Sequence, residues 1–338
     1  MNRCRVRSVG SHALSYVCHV EQFHGLPTYT YSPYVDPANL PDPSSVAWRL
    51  ECGELPREAD HGARVEAYCE RFTESVELEK VRALVFGQPW YDADGGLPDD
   101  WLLGLSARLT GLEGLFLGDL EDEQAMISTI WLGTVAPVLE AFPGLRELAL
   151  RGGEGLEFPE SGHAQLRSLR VESGGLPAEA AAQIAAADLP ALRSLDLWLG
   201  DDDYGGGTTV EDIAPLLTGE NKPALRHLGL QNSPIQDELA AALASAPVVP
   251  RLTSLSLALG TLTDEGAQSL LQGQPLTHLR RLDLSHHFLS HAMMLRLWTE
   301  LEPKGVRVDL TARQEDDDRD PDGEETHGRH GRYIAVGE

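Results

Sequence analysis

The sequence predicts an α/β repeat solenoid, in which a parallel sheet lines a concave face and helices form a convex back. Three observations lead to this prediction. A six-residue apolar pattern, L-x-x-L-x-L, recurs along most of the chain. Successive copies begin 21 to 33 residues apart, and helical spacing of apolar residues follows most of them. One strand and one helix cannot bury their apolar faces alone, so such units must stack on one another.

Each copy of the pattern is expected to form a short strand, because L-x-L places two leucines on one side and the intervening residue on the other. The copies begin at Leu112, Leu145, Leu166, Leu192, Leu225, Leu252 and Leu279. A weaker first copy, "VRALVF", begins at Val81, and "VRVDL" at 306–310 is a candidate last strand. The repeat domain is therefore predicted over residues 81–310, with about eight repeats.

Helices are expected between the strands, where leucine, isoleucine and alanine recur at three- and four-residue intervals. The segments are "AEAAAQIAAADL", "VEDIAPLL", "DELAAALASA", "DEGAQSLLQG" and "HAMMLRLWTEL". Ser290 precedes the last of these and is a plausible N-cap.

These hexamers, the helix in each unit and the unit length near 27 residues resemble ribonuclease-inhibitor-type leucine-rich repeats. More narrowly, the chain resembles a family of uncharacterised bacterial leucine-rich-repeat proteins. The stretches that carry this resemblance include "AWRL" at 47–50, "RALVFG" at 82–87, "DLWLG" at 196–200 and "PLTHLRRLDL" at 275–284. The resemblance implies a horseshoe-shaped cytoplasmic protein, with no established cofactor or catalytic residue to carry over. It begins near Val20, which makes Val20 a candidate alternative start.

The two ends of the chain differ from the repeats. Residues 1–45 are rich in proline and aromatic residues and are predicted to be an extended or disordered lead-in. Residues 46–80 are predicted to form an N-terminal cap that closes the edge of the array. Residues 311–338 are predicted to be an acidic disordered tail. Its short apolar end, "RYIAVGE", is a candidate to dock back on the last repeat.

Composition narrows the function classes. A net charge of −26 argues against nucleic acid, because phosphate binding needs a basic face. No apolar run approaches the ~20 residues of a membrane span. The cysteines, Cys4, Cys18, Cys52 and Cys69, contain no C-x-x-C pair. Reduced thiols and a cytoplasmic location are therefore expected.

Catalytic and cofactor motifs are missing from the sequence. It contains no G-x-x-x-x-G-K-[ST], G-x-G-x-x-G, G-x-S-x-G or H-E-x-x-H pattern, so neither an enzyme nor a cofactor is expected. His286, His287 and His291 form the densest histidine group. His287 occupies the polar position of a repeat turn, and no co-ligands are evident nearby. The group is predicted to stabilise turns rather than to bind a metal.

The concave face is the best candidate for a binding site. The residues predicted to bind a partner are Phe116, Arg151, Arg170, Glu172, Asp196, Trp198, His227 and the loop residues Asp201, Asp202, Asp203 and Tyr204. Trp198 has two open interpretations, an exposed binding hot spot or a residue packed under the adjacent acidic loop. That loop is either solvated or part of the binding surface. Arg170 and Asp196 are expected to form a lateral ion pair.

We therefore expect a protein- or peptide-binding scaffold that acts through its concave face, with no nucleic acid or membrane partner. The sequence leaves two other functions open. One is a metal-dependent hydrolase that uses the Asp201–Tyr204 loop or the histidines, and the other is a regulatory inhibitor of a partner enzyme.

Overall fold

The computed structural model describes residues 16–52, 61–88, 99–315 and 331–337. Within these ranges the chain forms one sheet of 12 strands, whose order in space follows their order in the sequence. The first two strands pair antiparallel and all later neighbours pair parallel. The strands are β1 (Gln22–Phe23), β2 (Leu26–Thr30), β3 (Ala47–Leu50), β4 (Ala83–Phe86), β5 (Gly114–Leu117), β6 (Glu147–Arg151), β7 (Ser168–Glu172), β8 (Ser194–Trp198), β9 (His227–Gln231), β10 (Ser254–Ser256), β11 (Arg281–Asp283) and β12 (Arg307–Asp309).

Eight α-helices lie between the strands in the described part of the chain. They are α1 (His61–Ser75), α2 (Asp99–Gly104), α3 (Ala136–Ala141), α4 (Ala178–Ala186), α5 (Ala214–Thr218), α6 (Gln236–Leu243), α7 (Asp264–Gln272) and α8 (His291–Leu301). Short 3-10 helices occupy Pro37–Asn39, Leu78–Lys80, Ile127–Thr129, Asp202–Tyr204, Val249–Arg251 and Glu302–Lys304. The last five α-helices fall in the segments predicted from apolar spacing. Ser290 caps α8 as predicted, because its Oγ accepts a hydrogen bond from the Met293 N–H at 3.1 Å.

The α/β class, the mostly parallel sheet and the one-strand repeat are confirmed, and together they are consistent with a solenoid-like repeat. The strand register explains why leucine recurs. Leu195, Leu228, Leu255 and Leu282 are aligned across four adjacent strands, and each is fully buried. Burying one such side chain stabilises the fold by roughly 1.5–3 kcal/mol. The leucine of one unit therefore packs on the leucine of the next, and a continuous core results.

The sheet has a second face, opposite the one that carries the aligned leucines. We call it the outer face, and residues 16–30 cover part of it. Phe23 packs against the Phe116 ring, with the ring centroids 5.8 Å apart. Both rings belong to a buried cluster on this face that includes Ala83 and Ala149. β2 also pairs with β3 and so extends the sheet. Residues 16–30 of the predicted lead-in are thus an integral part of the fold, because they shield apolar residues that the outer face would otherwise expose.

The C-terminal segment, residues 331–337, also returns to the repeats. The sequence predicts that it docks on the last repeat, but it runs past the carboxyl ends of several strands. The Tyr333 ring lies 5.9 Å from His286, just after β11, whereas Gly337 lies against Gly174, just after β7. The acidic run predicted to be disordered lies outside the described residues from residue 316 to residue 328.

The cysteines differ from the expectation of reduced thiols. Cys18 is disulfide-bonded, whereas Cys52 and Cys69 are free and buried. Cys4 lies outside the described residues. Of the helices in the described ranges, each is too short or too polar to cross a bilayer.

Candidate functional site

The outer face of strands β7 to β11 contains a pocket of about 260 Å³. Each strand contributes two residues of the same face, since alternate positions along a strand point to the same face. The lining residues are Arg170, Glu172, Asp196, Trp198, His227, Gln231, Ser254, Ser256, Arg281 and Asp283. Five of the residues predicted to bind a partner therefore meet in one pocket, and the register of the repeats brings them there.

Small residues give this pocket its depth. Gly229, Ser254 and Ser256 occupy outward positions on two central strands, between the larger side chains of β8 and β11. Gly229 has no room for a side chain, because an added Cβ would clash with the Asp196 carboxylate. A larger residue at position 229 would therefore displace the polar groups beside it.

Asp196 is the centre of a hydrogen-bond network in the pocket. Its Oδ1 lies 2.8 Å from His227 Nε2 and accepts a hydrogen bond of 2.8 Å from Gln231 Nε2. The second bond sets the orientation of the Gln231 amide, since the reverse orientation would place its oxygen against the carboxylate. Gln231 Oε1 must then point away from Asp196.

Two buried polar atoms of the pocket lack a hydrogen-bond partner within the described ranges. They are Gln231 Oε1 and Ser256 Oγ, whose residues are only 1% and 4% exposed. A buried oxygen without a partner costs about 1–3 kcal/mol. A ligand that supplied N–H or O–H donors would recover that free energy.

Charged residues form the rim of the pocket. Arg170 Nη1 lies 3.2 Å from Glu172 Oε1, and Arg281 Nη2 lies 2.8 Å from Asp283 Oδ2. The predicted pair of Arg170 with Asp196 is wrong, because Arg170 turns to Glu172 while Asp196 binds His227. Both arginines are partly exposed whereas Glu172 and Asp283 are buried, so these two pairs present mainly positive charge to a ligand.

Four residues predicted to lie open on this face are buried instead: Phe116, Arg151, Glu172 and Trp198. Trp198 is 3% exposed, which excludes the interpretation as an exposed hot spot. It belongs to the hydrophobic core cluster and contributes to the wall of the pocket. Phe116 is fully buried between Phe23 and the guanidinium groups of Arg151 and Arg170, whose Cζ atoms lie 5.3 and 5.4 Å from its ring centroid.

Arg151 is 2% exposed and belongs to a buried ionic network rather than to a free surface. Its Nε lies 2.8 Å from Glu172 Oε2, and its Nη1 donates to the Cys18 carbonyl at 3.0 Å. Asp119 joins the network through Arg151 and Arg49. Burial alone would raise the pKa of Asp119, but a hydrogen bond to a histidine and the two arginine charges hold it below its usual value. The network therefore anchors the N-terminal segment to the sheet.

The acidic loop lies at the carboxyl ends of the strands. Carboxylate oxygens of Asp201, Asp202 and Asp203 lie within 4.8 Å of one another, and Asp201 Oδ1 accepts a hydrogen bond from the Asp203 N–H at 3.1 Å. Asp201 and Asp202 line a second cavity, of about 420 Å³, together with Arg332. Tyr204 is 36% exposed and its ring lies against Gly337. The loop is thus next to the C-terminal segment.

His287 takes the turn position predicted for it. His287 is fully buried, and its Nε2 lies 3.1 Å from the Leu310 carbonyl of the following turn. Its Nδ1 accepts a hydrogen bond from the Leu289 N–H at 3.1 Å. Burial lowers the pKa of His287 below its usual value. His286 packs against aromatic rings, and His291 is exposed at the start of α8.

Sequence reasoning did not select three polar residues, two of which line the pocket while the third binds the C-terminal segment. Ser254 and Ser256 belong to a hexamer, "LTSLSL", whose alternation could have marked them as outward. Asn232 lies one residue after β9 and binds the C-terminal segment, a contact across 104 residues that leaves no local signal.

Comparison with known proteins adds fold information. No protein-family model matches the chain, and no curated protein does. A crystal structure of a Bacteroides fragilis protein, determined as a structural-genomics target, is similar to it with a TM-score of 0.69 and 27% sequence identity. The similarity covers 76% of this chain and 74% of that one. The architecture described above is therefore shared with a solved protein.

Proposed function

We propose that the chain is a leucine-rich-repeat horseshoe that binds a protein or peptide through the pocket on β7 to β11. The aligned leucines and the strand–helix alternation support the repeat type, and the outer face is then the concave face. Such surfaces bind partners along consecutive repeats.

The observation that carries the proposal is that two buried oxygens of this polar pocket have no hydrogen-bond partner in the described part of the chain. Gln231 Oε1 and Ser256 Oγ are both acceptors available to a donor, and the Asp196 carboxylate lies beside Gln231. A peptide brings backbone N–H groups and basic or amide side chains to such a site. A nucleic acid would bring phosphates to a chain with a net charge of −26, which is unfavourable.

The volume of the pocket indicates the scale of the contact. A cavity of about 260 Å³ is slightly smaller than the roughly 300–1,000 Å³ typical of small-molecule sites. It suits one or two side chains of a longer segment whose remainder lies on the adjacent strands. Arg170 and Arg281 on the rim then pair with acidic groups of that segment.

Selection of peptides from a displayed random library, followed by binding measurements, tests this proposal. Ser254→Trp fills the pocket from a strand position where an aromatic residue is well tolerated. Gln268→Trp makes the same change at an exposed position on α7. Selected peptides should bind the Ser254→Trp protein at least tenfold more weakly than they bind the wild type. They should bind the Gln268→Trp protein as tightly as the wild type. Equal binding to all three folded proteins would refute the site.

A further inference from the structure

The C-terminal segment is held as an extended peptide in a groove formed by the turns that follow β7 to β11. The Ala335 N–H donates to the Leu259 carbonyl at 2.8 Å. Asn232 binds the next residue twice, because its Oδ1 accepts from the Val336 N–H at 3.0 Å and its Nδ2 donates to the Val336 carbonyl at 2.6 Å. All three bonds involve backbone atoms of the segment, so they recognise an extended chain rather than one particular sequence.

The conformation of Asn232 suits this contact. It is fully buried and has a φ of 52°, a left-handed conformation that asparagine tolerates better than most residues. Its Nδ2 also donates to the Ser173 carbonyl at 3.2 Å, which fixes the side chain between two repeats. The amide is therefore already oriented to pair with an incoming backbone.

Side chains of the segment add a sequence pattern to this backbone recognition. Ile334 and Val336 are 9% and 6% exposed, so both are seated in the groove. The Tyr333 ring packs edge-to-face against Phe288, with centroids 6.0 Å apart. A Cβ added to Gly337 would clash with the Tyr204 ring, and one added to Gly174 would clash with the Gly337 backbone. The groove thus accepts the order aromatic, aliphatic, small, aliphatic, glycine.

Unfilled space adjoins the amino-terminal end of the segment. The residues that line the cavity of about 420 Å³ include Arg332, Asp201, Asp202 and Thr208. Thr208 Oγ1 is buried without a hydrogen-bond partner in the described part of the chain. A ligand that filled this space and donated a hydrogen bond to Thr208 Oγ1 would satisfy an oxygen that the chain's own segment leaves without a partner.

We propose that this groove is a second peptide-binding site, for an extended segment of a partner protein with a basic residue followed by the aromatic–aliphatic–small–aliphatic–glycine pattern. The chain's own C-terminal segment occupies the site in cis and competes with that partner. A tethered segment has an effective concentration in the millimolar range, so only a partner with additional contacts displaces it. The groove is distinct from the pocket on β7 to β11, and it does not depend on the function proposed for that pocket.

The test uses the full-length chain and a fluorescein-labelled peptide of residues 331–337. In the Ile334→Asp/Val336→Asp protein, the two buried apolar side chains become charged and the segment leaves the groove. The labelled peptide should then bind with 1:1 stoichiometry, at least tenfold more tightly than it binds the wild type, as measured by fluorescence anisotropy. If this variant does not fold, Ala335→Pro replaces it, since proline removes the N–H that donates to the Leu259 carbonyl.

Two controls assign the binding to the groove. Asn232→Gly keeps the left-handed backbone but removes both side-chain bonds, so it should weaken the peptide at least tenfold in the opened protein. A peptide carrying Val336→Asp should lose binding by a similar factor. The proposal is overturned if a folded, opened protein fails to bind up to millimolar peptide or binds it regardless of Asn232. A wild-type dimer that dissociates in the opened variant would overturn it too, because a second copy would then be the occupant.

Discussion

Lys222 provides a quantitative test of how tightly the repeats pack. Its side chain is fully buried, and its Nζ donates to the carbonyls of Ala185 and Ala187, at 2.9 Å each, where α4 ends. Burial lowers the pKa of Lys222 from 10.5 to about 8, because desolvation disfavours the charged form. A neutral amine retains two N–H donors, which matches the two carbonyls.

The pKa difference sets the size and the sign of the effect. A pKa that falls from 10.5 to about 8 corresponds to a free energy of about 3 kcal/mol, since each pKa unit is worth about 1.4 kcal/mol. Between these pH values the unfolded chain binds more protons than the folded chain, so the unfolding free energy rises with pH. The Lys222→Met protein has no titrating group at this position, so its unfolding free energy lacks this contribution.

Urea unfolding of both proteins at several pH values measures the effect. The unfolding free energy of the wild type minus that of Lys222→Met should increase by about 2–3 kcal/mol between about pH 7 and pH 10. Differences are used because other titrating groups cancel in them. If this difference in unfolding free energy did not change with pH, Lys222 would have its ordinary pKa and be solvated. That result would contradict the buried contact between Lys222 and the end of α4.

Three further predictions follow from burial and charge. Trp198→Ala should lower the unfolding free energy by about 3–5 kcal/mol in urea titrations, and a near-neutral effect would show that the ring is solvated. The hydrogen bond to Glu147 and a second to Glu113 outweigh burial and raise the pKa of His24 above 6.5. The wild type should thus have a higher unfolding free energy than His24→Gln below pH 6.5, and this difference should vanish as the pH rises through the pKa of His24 in the folded protein. A difference in unfolding free energy that does not change with pH would contradict the pairing. Cys52 and Cys69 are buried, and burial raises the pKa of Cys69 to about 12, so both should resist a thiol reagent until urea unfolds the chain; prompt labelling would contradict this.

Local sequence was sufficient to predict the repeating part of the fold. The L-x-x-L-x-L spacing located the strands because the same leucines must be buried in every unit, as Leu195 and Leu228 are. The last five helices followed from their own apolar periodicity. Ser290 was identifiable as a cap because capping depends on residues only three positions apart.

The candidate site was harder to predict because long-range contacts decide which outward residues stay open. Phe116 and Arg151 alternate correctly along their strands, yet the segment around Cys18 and Phe23 covers them from about 100 residues away in sequence. The binding partner of Asn232 is equally distant. Alternation predicts the face of a side chain but not what lies over that face.

Hydrogen exchange on the complex with a selected peptide tests the central claim, that a partner is recognised by the pocket on β7 to β11. The wild-type protein, with and without saturating peptide, is compared by mass spectrometry of its proteolytic fragments. Protection should concentrate in fragments that contain β8, β9 and β10 and their following turns, and it should be lost in Ser254→Trp. Protection confined to helices α4 to α8, or unchanged in Ser254→Trp, would contradict the claim.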